Sequence, residues 1–305
     1  MGPVMYVCAT LSLLWTCTAS PARKSYHVGL FCSTGAYSHD IMMRRLAEQL
    51  AASGHLVTLL QIRVFSFNYS IPPIESERVT IVQMNCSNSW TRDLMGQLQN
   101  QIWYSTVPFG NRRLSYRSIR LFSQLYDAHM FGCRAALQDK TFVRRVLNLN
   151  LDLIVIDYIL NECALAFAAL SNTPRMYLSN YPMMESYFDS TGATSNPAYV
   201  PSVLSKETIP MRFSSRVSNS ICRLLALVWR QKLMHSISKL IYSFGYNSLD
   251  LRDEEMKTLL FATPSEFLLD ASRPLTHNIK YLGCCKCLSQ ESKTFNKVRL
   301  ESKWI

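Results

Sequence analysis

The feature that most constrains the fold lies near the N-terminus. Tyr26 to Phe31 (YHVGLF) is a short β-type run that ends in a loop of small residues, Cys32 to His39, with Gly35 inside it. Asp40 to Ser53 then places Ile41, Met42, Leu46 and Leu50 at helical spacing, and Gly54 is a natural helix stop. Leu56 to Leu60 (LVTLL) reads as a second buried strand. Strand, helix, tight turn and strand within ~35 residues make a βαβ unit, which implies a parallel sheet and a right-handed crossover.

The pattern returns later in the chain. Leu151 to Ile156 (LDLIVI) is almost continuously apolar, as strands covered on both faces are, and Asp157 ends it. Asn161 to Leu170 reads as a helix, Pro174 stops it, and Arg175 to Leu178 reads as the next strand. Between these units Thr91 to Leu147 is mainly helical in pattern, broken at Pro108-Phe109-Gly110. Pro197, Pro201, Pro210 and Gly192 mark Ser186 to Pro210 as a long surface loop. Arg212 to Tyr246 reads as one or two amphipathic helices, with Phe267 to Leu269 and Ile279 to Leu282 as short closing strands. An α/β fold is therefore expected. With 48% hydrophobic and 17% charged residues, the chain can build a packed core and is not of the disordered class.

Val4 to Trp15 is an uncharged apolar run followed by small and polar residues up to Ser20, which reads as a secretory signal peptide over residues 1–20. An uncleaved anchor or a buried strand are the other readings of that run. No later segment reaches the ~20 apolar residues of a spanning helix. The mature chain is thus expected in a lumenal or secreted setting, consistent with the sequons Asn68-Tyr69-Ser70 and Asn85-Cys86-Ser87. Cys284 and Cys287 have CxxC spacing, but no second ligand pair stands at the spacing zinc needs, so structural or adventitious thiols are the expectation.

The formal net charge is +11, and Thr208 to Leu249 carries six basic and no acidic residues. Such a helix either lies peripherally on an anionic membrane through residues 212–240 or presents an ordinary solvated side. No nucleic-acid recognition motif accompanies the charge, so a nucleic-acid partner is not expected.

In open parallel α/β sheets, ligands bind beyond the C-terminal ends of the strands. His39 follows the first strand at the mouth of the first helix, and Asp157 ends a later strand. Alone, His39 reads as a helix cap or polar loop residue, and Asp157 as an N-cap or turn former. Brought to one sheet edge, they read as a general base and the carboxylate that fixes its tautomer. The sequence has no GxGxxG after the first strand, no GxxxxGK[ST], no GxSxG and no HExxH.

Four segments carry a family resemblance. They are Tyr37-Ser38-His39-Asp40-Ile41 through Glu48 with Gly54-His55-Leu56-Val57-Thr58; Asp152 to Asp157 followed by Asn161-Glu162-Cys163-Ala164; Asn196 to Ser202; and Arg273-Pro274-Leu275-Thr276 through Gly283. In this order they resemble the UDP-glycosyltransferases of the endoplasmic reticulum, the glucuronosyl- and glucosyltransferases of animals, with a flavour similar to nematode members. The resemblance implies two Rossmann-like doubly wound domains of GT-B type facing each other, the first for the acceptor and the second for the UDP-sugar. It places His39 at the catalytic base and Asp157 at its orienting acid, for an inverting transfer to a hydroxyl of a small lipophilic acceptor. It implies a UDP-sugar co-substrate, no metal and residence in the endoplasmic reticulum lumen.

By the same resemblance, residues 25–287 form the acceptor domain, whereas 288–305 match nothing in the family, and the donor-binding domain and its membrane helix have no counterpart in these residues. This polypeptide alone is therefore expected to lack appreciable transferase activity. A second expectation is a non-catalytic binder of lipophiles or a regulatory partner of full-length transferases. A third is a poorly stable fragment with apolar surface exposed at the cleft.

Overall fold

The computed structural model describes residues 24–32, 37–65, 73–99, 116–158, 161–178, 183–202, 205, 207–263, 271 and 273–282. Seven strands form one sheet: β1 (His27–Phe31), β2 (Leu56–Arg63), β3 (Val79–Asn85), β4 (Leu153–Ile156), β5 (Arg175–Leu178), β6 (Leu260–Thr263) and β7 (Ile279–Tyr281). Their order is β3-β2-β1-β4-β5-β6-β7, and neighbours pair in parallel. The order runs outward in opposite directions from the β1–β4 pair, which makes this a Rossmann-like doubly wound sheet with its switch point between those two strands.

The helices are α1 (Tyr37–Ala52), α2 (Ser89–Gln99), α3 (Tyr116–Gln138), α4 (Lys140–Leu147), α5 (Glu162–Leu170), α6 (Glu185–Thr191), α7 (Phe213–Ser243) and α8 (Leu251–Met256). Helix α1 buries Met43 and Ala47 against Val28, Leu30, Val57 and Leu59 on one face of the sheet. Phe31, Leu60 and Ile156 belong to the opposite core, which α3, α5 and α7 close with Leu125, Phe167 and Ile237. The strands are thus buried on both faces, which is why β4 reads as an unbroken apolar run, and β2 as a mainly apolar one, rather than as alternations. Gly54 ends the first helix in the left-handed region at φ 95°, as its position predicts.

Several elements differ from the sequence reading. Helix α1 begins a turn early, at Tyr37, so His39 lies inside its first turn rather than in the preceding loop. The proposed surface loop from Ser186 opens as α6, most of whose side chains are buried, and Gly192 at φ 73° is that helix's C-cap. Prolines further along signalled a loop, but an apolar Tyr187-Phe188 pair needed covering and took the segment inward. Arg212 to Tyr246 holds one helix, Phe213–Ser243, of 31 residues. β3, β6 and α8 are additional to the expectation. The segments Phe267 to Leu269, Pro108 to Gly110 and Cys284 to Cys287, with the signal run and the 288–305 tail, lie outside the described residues.

A disulfide joins Cys133 of α3 to Cys163 of α5. Cys32, Cys86 and Cys222 are free. No helix among the described residues is long and apolar enough to cross a membrane.

Candidate active site

The switch point decides where the site lies. β1 hands the chain to α1 and β4 to α5 at the same edge, and the strands are in register there, with Phe31 opposite Ile156. The residue after Ile156 is Asp157, and its backbone N–H donates to the Phe31 carbonyl at 3.0 Å. His39, in the first turn of α1, reaches across the seam. Its Nδ1 lies 2.5 Å from Asp157 Oδ2. Two side chains 118 positions apart in sequence thus meet where doubly wound sheets bind ligands.

Burial sharpens the pair. Asp157 is 0% exposed and His39 is 8% exposed. Asp157 Oδ1 has no hydrogen-bond partner among the described residues, so His39 is the side chain that answers the carboxylate there. With Nδ1 donating to the carboxylate, Nε2 is the ring nitrogen left with a lone pair. Such a pair can accept a proton from a hydroxyl and hold the resulting imidazolium.

The backbone beneath the pair is fastened by Asn161, the N-cap of α5. Its side chain makes no capping bond to the helix. Instead Nδ2 donates to the carbonyls of Phe31 at 3.2 Å and Cys32 at 3.1 Å. Asn161 therefore ties the end of β1 to the start of α5 across the seam. Asp40, the residue after His39, is buried and accepts from Gln61 Nε2 at 2.6 Å and Arg63 Nη2 at 3.2 Å. Burial raises the Asp40 carboxyl above its ordinary value, against the opposing pull of Arg63, Arg44 and Gln61. Burial and the nearby Asp40 and Asp157 carboxylates push the Cys32 thiol well up, which makes it a poor nucleophile at neutral pH.

Behind Asp157 stands a buried polar cluster. Tyr187 Oη donates to the Tyr158 carbonyl and, at 3.3 Å, to Glu162 Oε1. The Arg230 guanidinium lies 3.7 Å over the Tyr187 ring and forks onto both oxygens of Glu255. Burial would loosen the Arg230 proton, but Glu255 and its other acidic neighbours outweigh it and hold the group charged. Tyr187 is thus a core residue whose hydroxyl holds the Tyr158 backbone, next to Asp157. Sequence reasoning named neither Asn161, Tyr187 nor Arg230 for a role here. Their separations in the chain carry no motif, and the one available signal was that Asn161 stands directly before an apolar helix. Among the described residues no three His, Cys, Asp or Glu side chains converge on a metal position.

These features define a doubly wound α/β domain with a histidine–carboxylate pair at its ligand edge. The profile of the UDP-glucoronosyl and UDP-glucosyl transferase family matches residues 30–299, and the chain belongs to that family. It is 25% identical over 258 residues to rat UDP-glucuronosyltransferase 2B15, covering 82% of this chain and 47% of that relative. It is 22% identical over 269 residues to human UDP-glucuronosyltransferase 1A3, covering 85% of this chain and 48% of the relative. The chain therefore spans about half the length of the curated relatives it matches. Among solved structures it is similar to CalG4, the calicheamicin glycosyltransferase, at 14% identity and a TM-score of 0.42, over 86% of this chain and 53% of that one.

Proposed function

We propose that this chain is the acceptor-binding half of an inverting UDP-sugar transferase, with His39 as general base and Asp157 as its orienting carboxylate. The observation that carries the reading is the 2.5 Å contact between His39 Nδ1 and Asp157 Oδ2 at the β1–β4 seam. In this mechanism Nε2 of His39 takes the proton of an acceptor hydroxyl as its oxygen attacks the anomeric carbon. The carbon–oxygen bond to the sugar forms as the bond to UDP breaks, and UDP leaves with the electron pair. Asp157, buried and answered by the imidazole, stabilises the imidazolium and fixes the ring so that Nε2 keeps its lone pair. The acceptor is a small lipophilic hydroxyl compound and the donor a UDP-sugar, glucuronosyl or glucosyl. A lumenal setting in the endoplasmic reticulum fits a domain with a buried disulfide between Cys133 and Cys163.

A general base accounts for ~10²–10⁴-fold in rate. Positioning donor against acceptor accounts for roughly 7–11 kcal/mol. The second contribution needs a donor-binding half, so these 305 residues are taken to supply the acceptor side and the base, with turnover depending on a donor side as well. The test joins it to the donor-binding half of a curated relative and measures UDP release with a phenolic acceptor. Turnover that His39→Ala lowers by ~10²-fold or more supports the assignment. Turnover indifferent to His39→Ala sinks it.

A further inference from the structure

The 31-residue helix α7 packs one side against the core through Leu233, Ile237 and Leu240, but its outer face is divided lengthwise. Along its first half that face consists of Phe213, Val217, Ile221, Leu224, Leu225 and Val228, all exposed. Phe213 is 82% and Leu224 60% exposed. The spacing is that of a single helical stripe ~22 Å long. Beyond residue 228 the same face turns basic, with Lys232, His235 and Lys239 exposed. There it opens into a groove of about 630 Å³ that Gln231, His235, Lys239 and Arg252 help to line. Asp250 also lines the groove, but its carboxylate caps α8 by accepting from the Arg252 N–H.

The charge on this helix sorts by destination. Of the six basic residues between Thr208 and Leu249, five in the helix and Arg212 at its N-cap, Arg230 is spent on Glu255 in the interior, and Arg223 on the Ser195 carbonyl and Asp189. Arg212, Arg216, Lys232 and Lys239 remain exposed, and Thr208 to Leu249 supplies no acid to offset them. We propose that this face docks on an anionic lipid bilayer, the apolar half entering the headgroup–acyl boundary and the basic half reaching headgroup phosphates. An apolar stripe next to unopposed cations fits a surface that is itself apolar beneath and anionic above. A protein partner would need acidic groups beside an apolar groove, whereas a bilayer offers both over any area. The proposal is independent of the transferase reading, since none of these residues touches the His39–Asp157 pair.

The full chain is mixed with vesicles of phosphatidylcholine alone or with phosphatidylserine, and sedimented. Because the apolar run near the N-terminus can bind lipid by itself, a Leu224→Trp variant is also examined for quenching by brominated phospholipids. The expected results are quenching of the added tryptophan and binding that rises with phosphatidylserine. Ile221→Glu/Leu224→Glu should weaken binding ~10-fold or more. Lys232→Glu/Lys239→Glu should weaken it by roughly fivefold per lost charge, and only on anionic vesicles. All four positions are exposed, so these variants should keep the wild-type circular dichroism. An unquenched tryptophan on vesicle-bound protein overturns the proposal. So does a shift from dimer to monomer in the Ile221→Glu/Leu224→Glu variant without loss of vesicle binding, which would assign the face to a second copy.

Discussion

At the scale of single residues, the pair at the seam makes its strongest prediction without any catalysis. Asp157→Asn preserves shape but offers the imidazole an amide that can donate as well as accept, so Nδ1 is no longer obliged to carry the proton. The ring-nitrogen NMR signals of His39 should show an Nδ1–H tautomer in the wild type and a mixed or Nε2–H tautomer in the variant. Identical spectra would show that the carboxylate does not set the ring. Asp40 gives a second test, through pH. Its carboxyl is raised in the folded protein, so the native state holds that proton more tightly than the unfolded chain does. Stability attributable to Asp40 should therefore increase as pH falls from neutral through the raised native value toward the ordinary 3.8. Asp40→Asn lacks this term. Urea unfolding across that range should show the wild type gaining on the variant toward acid, and a difference independent of pH would contradict the burial argument.

At the scale of elements, the cluster around α7 and α8 shows how the Asp157 loop is kept in place. Removing Arg230 alone, as Arg230→Met, leaves the buried Glu255 with the Ser190 hydroxyl but no countercharge and should cost ~3–5 kcal/mol by denaturant titration. Arg230→Met with Glu255→Gln should recover part of that loss, because one of the two buried carboxylates facing Arg230 loses its charge while Glu162, 3.3 Å from Nε, keeps its own. A double variant as damaged as the single one would mean that packing on Tyr187 or the pairing with Glu162, rather than the charge of Glu255, is what Arg230 supplies. The same elements explain what could be read in advance. β1, β2 and β4 were legible because burial on both faces writes a mainly apolar run, and β5 because it follows the helix stop at Pro174. β3 was not, because as an edge strand it buries Val82 alone, and its other side chains are exposed or half-buried. β6 is four residues long and α8 six, too short for periodicity to speak. His39 and Asp157 were legible because the sheet rule assigns meaning to strand ends. Asn161, Tyr187 and Arg230 were not, because their value lies in contacts that no spacing along the chain encodes.

At the scale of the molecule, the question is whether a chain half the length of its relatives folds as a unit. Both faces of the sheet are closed within the described residues, by α1 on one side and by α3, α5 and α7 on the other. Helix α3 approaches β2 so closely that a Cβ at Gly132 would run into the Val64 side chain, and one residue later Cys133 is bonded to Cys163. The disulfide therefore fastens α3 to the helix whose N-cap, Asn161, ties down the seam. Its sequence separation of 30 corresponds to a loop-closure contribution of about 3–4 kcal/mol in the chain-entropy account. The wild type should unfold in one cooperative urea transition. Cys133→Ser/Cys163→Ser should lower the unfolding free energy by that amount and move the midpoint down, with a slope equal to or steeper than the wild type's, since the unlinked unfolded chain is the more expanded one. Below the transition the His39 tautomer signal should persist, because backbone and side-chain hydrogen bonds still define the seam. A broad, non-cooperative wild-type transition would mean that the 305 residues are a fragment awaiting its other half. A variant that stays cooperative yet loses the tautomer signal would mean that the disulfide, rather than the sheet, holds His39 against Asp157.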